Sequence, residues 1–137
     1  LLIGKHAAKL ARAATRGIET AVVTEARRRG RVFDVVVEAS GAPSGFELAL
    51  DLLRSQGTLV LKSTFHGATP IEAARVVVEE ITVVGSRCGR FAPALDLLAR
   101  GAVEVDDLIS EVVSLDRGPA ALARAAAPGV LKVLLAT

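Results

Sequence analysis

The residues with the most chemical potential stand in four short clusters. They are Gly4-Lys5-His6, Ala39-Ser40-Gly41, Lys62-Ser63-Thr64 and Ser86-Arg87-Cys88, each directly after an apolar run. Each mixes small residues with polar or charged ones, so main-chain groups and short side chains come close to a ligand. In an open parallel sheet, ligands bind at the carboxyl ends of the strands, where connections diverge. The clusters therefore fit ligand binding, although ordinary loop starts share their composition.

Nothing in the sequence assembles a catalytic centre. His6 and His66 are the only histidines, and neither stands beside Cys, His or Glu at metal-ligand spacing. There is no G-x-S-x-G elbow, no complete G-x-G-x-x-G and no P-loop. Cys88 is the single cysteine, which excludes an internal disulfide and a multi-cysteine zinc site within these residues. It reads as a small packing residue rather than a nucleophile. The expectation is no catalytic residue and no metal ligand in this chain.

The elements that must position the clusters centre on Phe33–Ser63. Val35-Val36-Val37 is a β-branched run, expected to form a strand covered on both faces. Ser40-Gly41-Ala42-Pro43 stops it and opens a helix, with Pro43 in the first turn. Phe46, Ala49, Leu50 and Leu53 recur at helical spacing. Gln56-Gly57 is expected to end that helix, with Gly57 in the left-handed conformation. Leu59-Val60-Leu61 is a second strand, and the whole makes a right-handed βαβ unit.

Upstream, the pattern predicts a strand over Leu1–Ile3, a helix over Lys5–Arg16 stopped at Gly17, a strand over Thr20–Val23 and a short helix over Glu25–Arg29. Downstream, Thr64–Pro70 is a loop, Ile71–Val78 a helix and Ile81–Gly85 a strand. Pro93–Arg100 is a helix with an Asp96/Arg100 pair, ended at Gly101. Asp106–Ile109 is a turn and Val112–Leu115 a strand. Asp116 is expected to cap a helix over Pro119–Ala126, and Val130–Leu135 is a last strand carrying one charge, Lys132. Alternating strands and helices indicate an α/β fold with a largely parallel sheet.

With 137 residues the chain suits one domain. Net charge is +2, and four Phe with no Tyr or Trp give a nucleic-acid surface no stacking platform. No apolar run reaches the length of a membrane span and no signal peptide is visible, so a cytoplasmic location is the default. The chain opens inside an apolar run and contains no methionine, which leads us to expect further residues upstream.

The ordered series FDVVVEASG, ALDLLRSQGTLVLKS, ITVVGSRCGRFAPALDLLARG and LKVLLAT resembles the nucleotide-binding domain of medium-chain dehydrogenases/reductases, in particular their zinc-type alcohol and polyol dehydrogenase branch. LLIGKHAAKLARAATRGIETA is similar to that domain's second strand and following helix. The resemblance implies a Rossmann-type, doubly wound, mostly parallel sheet, truncated so that the first strand and its glycine-rich turn are missing. It makes residues 1–137 a partial NAD(P)-binding domain with a C-terminal return segment over 111–137, the catalytic domain and its zinc lying elsewhere.

The resemblance also assigns roles. Gly4 sits where NAD-dependent members carry an acid for the adenosine ribose; its absence, with Lys5 and His6 following, leans toward NADP over NAD. Ala39, Ser40 and Gly41 would line the adenosine side. Lys62, Ser63 and Thr64, with Ser86, Arg87 and Cys88, would face the nicotinamide end through their main chain. Lys132 would meet the pyrophosphate, or is simply an exposed lysine. The full enzyme would exchange hydride between NAD(P) and an alcohol or carbonyl, zinc-assisted, with the rest of its own polypeptide as partner, a homodimer formed through Ile81–Gly85, and no nucleic acid or membrane. This chain alone is expected to be inactive. A zinc-free quinone or enoyl reductase, a non-catalytic nucleotide-binding module and a methyltransferase are the alternatives.

Overall fold

The computed structural model describes residues 1–64 and 68–137, so His66 and the middle of the Thr64–Pro70 loop lie outside the described residues. The chain order is β1 (Leu2–Gly4), α1 (Ala7–Ala14), β2 (Thr20–Val22), α2 (Val23–Arg27), β3 (Phe33–Glu38), α3 (Pro43–Leu52), β4 (Leu53–Leu61), α4 (Ala73–Val78), β5 (Thr82–Gly85), α5 (Phe91–Ala99), β6 (Ile109–Ser114), α6 (Gly118–Ala125) and β7 (Lys132–Ala136). Short 3-10 turns cover Asp106–Leu108 and Leu115–Arg117.

All strand pairs are parallel, as the alternating pattern requires. They form three ladders rather than one: β1–β2, β3–β4–β5 and β6–β7. The division between the first two falls where the resemblance places the domain's first strand. Leu1–Ile3 does not close on Val35–Val37; β1 pairs with β2, Ile3 opposite Ala21, and β3 with β4, Val36 opposite Leu59. Between β1 and β3 lies a slot of about 460 Å³, with Leu2 and Ile3 on one wall, Phe33, Val35 and Val37 on the other, and Leu48 and Leu52 of α3 among the residues that line it.

The core is built where helical and strand periodicities meet. Phe46, Ala49 and Leu50 of α3 pack with Leu53 and Leu59 of β4 and with Ile81, and Val76 of α4 adds to the edge. A second cluster joins Ala21, Ala26 and Leu52, with Ile3, Phe33 and Leu48 against them. The C-terminal β6–α6–β7 unit buries Val113, Ala121 and Val130. Arg16, just past the end of α1, reaches the segment that leads into β6, donating to the Glu104 carbonyl at 2.6 Å and pairing with Asp107 of the 3-10 turn.

Four local expectations change. Val35 and Val37 are more than half exposed, so β3 is covered on one face only: Val36 packs into the core while its neighbours alternate outward. α3 ends at Leu52, and Gln56, not Gly57, takes the left-handed backbone at φ 61°. This bend coincides with the register shift between Phe33↔Leu53 and Val35↔Thr58. Asp116 does not cap α6; it lies in the preceding 3-10 turn, Arg117 occupies the cap position, and no side-chain cap bond forms. β4 also starts at Leu53 rather than Leu59, taking in a residue expected on the helix face; the other elements fall within a few residues of their expected bounds. The Asp96–Arg100 pair forms at 3.6 Å, and Gly17, Gly30, Gly101 and Gly129 have the positive φ of chain reversals.

Candidate functional site

Parallel pairing sets the geometry of the site. Glu38 is opposite Leu61 and Leu61 opposite Gly85, so β3, β4 and β5 end level and their following loops leave one edge. Main-chain bonds carry the alignment one residue further: Lys62 N donates to the Glu38 carbonyl at 2.9 Å and Ser86 N to the Leu61 carbonyl at 2.8 Å. The Lys62 ammonium then donates to the Arg87 carbonyl at 2.7 Å, strapping the second loop to the third. Three of the four sequence clusters, 39–41, 62–64 and 86–88, are thereby neighbours. Cys88, expected from the sequence to be a small packing residue, is instead exposed as a free thiol.

The fourth cluster belongs to the other strand pair, across the slot. Gly4 ends β1, and Lys5 and His6 are exposed before α1. A Cβ on Gly4 would stand 3.1 Å from Cδ2 of Leu10, the buried residue of α1. A side chain there would press on Leu10, a packing constraint independent of any cofactor. Lys132 opens β7 in the third ladder and is exposed.

The residue that sequence reasoning missed is Glu38. It ends β3 as a carboxylate only 4% exposed. Its Oε1 accepts the Ser40 N–H at 2.7 Å and the Ser40 hydroxyl at 2.6 Å. The Ser63 hydroxyl stands close enough to help lower its pKa. Ser63 Oγ accepts the Gly41 N–H at 2.7 Å, and Ser40 Oγ accepts the Ala42 N–H at 3.2 Å. The result is a closed ring of bonds from the end of β3 to the end of β4. Gly45 in α3 lies beneath it: a Cβ there would be 1.9 Å from Ser40 Oγ and 2.8 Å from Glu38 Oε1. The available signal was an acid closing an apolar strand, a serine two residues on, and a glycine early in the helix.

Burial alone would raise the Glu38 pKa, but hydrogen bonds from the Ser40 hydroxyl, Ser63 and the Ser40 N–H outweigh it and hold the carboxyl below its ordinary value of about 4.5. The sign of the pH dependence follows. The unfolded chain takes up the proton at higher pH than the folded one, so Glu38's contribution is complete above the ordinary glutamate range and is lost as pH falls below it. Denaturant titrations between pH 6 and 3 are expected to show stability falling in the acid part of that window, with a shallower fall in Glu38→Gln.

The ring also defines what a ligand meets. The N–H groups of Ser40 and Gly41 and the hydroxyls of Ser40 and Ser63 are engaged with one another. The Ala39–Gly41 loop thus presents carbonyls and small apolar surface, while the Lys5 and His6 side chains remain free to approach an anion. Carbonyls and small apolar surface suit uncharged parts of a ligand at the strand ends. Among the described residues no three His, Cys, Asp or Glu side chains converge, so these residues offer zinc no tetrahedral site. No helix among them is long and apolar enough to cross a membrane.

Comparison with known proteins agrees with this geometry. Residues 3–100 match the family model described as zinc-binding dehydrogenase. D-xylulose reductase A of Aspergillus oryzae is 31% identical over 110 residues, which are 78% of this chain and 31% of that protein. D-arabinitol dehydrogenase 1 of Uromyces fabae is 29% identical over 105 residues, 74% of this chain and 30% of its own length. In fold, L-idonate 5-dehydrogenase from Escherichia coli superposes with a TM-score of 0.87 over 98% of this chain and 42% of its own, at 22% identity. A structure from Sinorhizobium meliloti, described as a zinc-binding dehydrogenase bound to NADP, superposes with a TM-score of 0.80 at 29% identity, covering 99% of this chain and 44% of its own. The chain spans about a third of the length of the relatives it matches in sequence. With parallel strands ending level at one edge and a family match running from β1 through α5, the chain belongs to the zinc-binding dehydrogenase family.

Proposed function

We propose that this chain is the nucleotide-binding part of an NAD(P)-dependent oxidoreductase that interconverts an alcohol and a carbonyl, zinc-assisted, with its catalytic domain outside residues 1–137. The observation that carries the proposal is the level ending of β3, β4 and β5, which gathers 39–41, 62–64 and 86–88 into one ligand-facing edge. When bound, the nicotinamide would supply or accept the hydride. This chain's residues would hold and orient it. Ala39–Gly41 would flank the adenosine, and the main chain at Lys62–Thr64 and Ser86–Cys88 would face the carboxamide. Lys5 and His6 would approach a 2′-phosphate, with Lys132 toward the pyrophosphate.

Further features support a part of a larger enzyme. The slot between β1 and β3 has two free parallel strand edges and suits one inserted strand from the same polypeptide. The separate β6–β7 ladder supports reading 111–137 as a return segment. Exposed Val83 and Val84 on β5 support a homodimer through that edge.

Titration of the chain with NADPH and NADH, followed by nucleotide fluorescence, tests the reading. NADPH is expected to bind more tightly. Lys5→Ala and His6→Ala are each expected to weaken NADPH severalfold to tenfold and leave NADH nearly unchanged, since only the 2′-phosphate meets the cation. Equal loss for both cofactors would contradict that role, and no binding of either would overturn the reading. Alcohol-dependent formation of NAD(P)H by the chain alone would contradict its expected inactivity.

A further inference from the structure

Glu38 is buried, ionised and placed at the mouth of the slot, yet the reading above gives it no part. A buried carboxylate costs several kcal/mol unless its lone pairs are matched by donors. Here the polar groups around the carboxylate come from two different strand ends. Ser40 N and Oγ belong to the loop after β3 and Ser63 to the loop after β4. The Glu38 carbonyl, meanwhile, accepts Lys62 N–H, so one residue grips both loops with main chain and side chain. Ser63 closes the circuit by accepting Gly41 N–H. Gly41 itself has φ 72°, which glycine adopts without strain, so the turn that brings its N–H to Ser63 costs little.

We propose that Glu38 is a positioning residue for the dinucleotide edge. Through Ser40 and Ser63 it locks the 39–41 and 62–64 loops in one mutual arrangement, so that their carbonyls and apolar surfaces meet the cofactor without reordering. The inference rests on the nucleotide-binding reading and adds a residue that acts without touching the ligand. Preorganised loops bind more tightly because their ordering is not charged to the binding step. The effect must be common to NADPH and NADH, since it does not involve the 2′-phosphate. That separates Glu38 from Lys5 and His6.

The test uses the 137-residue chain, its Glu38→Gln, Ser63→Ala and Ser63→Thr variants, titration with both dinucleotides, and amide hydrogen exchange read residue by residue. Glu38→Gln and Ser63→Ala are expected to weaken both cofactors alike, by about tenfold, and to speed exchange at Gly41 by a similar factor. Ser63→Thr keeps the hydroxyl and is expected to restore both. A folded Glu38→Gln that binds both dinucleotides as the unaltered chain does, with Gly41 still protected, overturns the proposal. If Glu38→Gln does not fold, the Ser63 pair decides on the same criteria. If the unaltered chain binds neither dinucleotide, the nucleotide-binding reading fails. Exchange then judges the lock alone: Gly41 protection lost in Ser63→Ala and kept in Ser63→Thr upholds it, and protection unchanged in both overturns it.

Discussion

Gly57→Ala is expected to destabilise the chain by about 2–3 kcal/mol, while Gln56→Gly one residue earlier is expected to be neutral or mildly stabilising. The sequence suggests the reverse weighting, because a glycine after a helix is read as its left-handed stop. In the structure Gln56 has φ 61° and Gly57 does not have positive φ. What Gly57 provides is room. A Cβ on it would lie 2.7 Å from Leu53 Cγ, 2.8 Å from Leu53 Cδ1 and 2.9 Å from the Arg54 carbonyl. Leu53 is fully buried among Phe46, Leu50 and Leu59, so its side chain has nowhere to retreat. The carbonyl belongs to the backbone and cannot swing aside alone. One methyl must therefore push the start of β4 off α3, a strain of overpacking. At Gln56 the left-handed backbone costs a non-glycine residue about 1–2 kcal/mol. Glycine removes that cost, gives back about 0.5–1 kcal/mol in chain entropy and loses an exposed hydrogen bond to Glu80. Urea unfolding of the two variants, at roughly 4 °C or less in melting temperature per kcal/mol as a cross-check, reads the contrast. A harmless Gly57→Ala would refute the close approach.

This pair shows where sequence reading reaches its limit. Local grammar was legible: the valine run of β3, Pro43 at the start of α3, the apolar face of Phe46, Ala49 and Leu50, and the reversals at Gly17 and Gly101 all depend on residues near one another in the chain. So was the parallel α/β class, because alternating strands and helices leave few other arrangements. The illegible parts are pairings at a distance. An apolar run does not say which of its faces lacks a partner, so Val35 and Val37 read as core and prove exposed. A glycine does not say whether it serves a φ angle or a neighbour's side chain, which is the difference between Gln56 and Gly57. At the site, the strand-end rule found three neighbouring clusters because parallel register is regular. It passed over Glu38, whose partner Ser63 is 25 residues away and becomes a neighbour only once β3 and β4 pair.

Gly45→Ala sets two opposing effects against each other at that ring, and the loss is expected to win. Gly45 is the third residue of α3, where alanine would favour the helix by up to about 1 kcal/mol. Its Cβ, however, would stand 1.9 Å from Ser40 Oγ, closer than any non-bonded contact, so the hydroxyl has to leave. Its departure removes a hydrogen bond to a charged carboxylate, worth about 1.5–3 kcal/mol, and the acceptor for Ala42 N–H. The Glu38 carboxylate stays buried with one donor fewer. The expected net loss is about 2 kcal/mol, with the Glu38 pKa moving upward because burial persists while a bond that lowered it has gone. A double-mutant cycle isolates the cause. In a Ser40→Gly background both the 1.9 Å conflict and the 2.8 Å approach of Ser40 Cβ disappear. Gly45→Ala should then cost about 1 kcal/mol or more less than it does in the unaltered chain, a coupling expected only of groups in contact. Additive losses would mean that the cost of the added methyl does not run through Ser40. A coupling of that size would place the ring, not helix propensity, as the reason for glycine at this position.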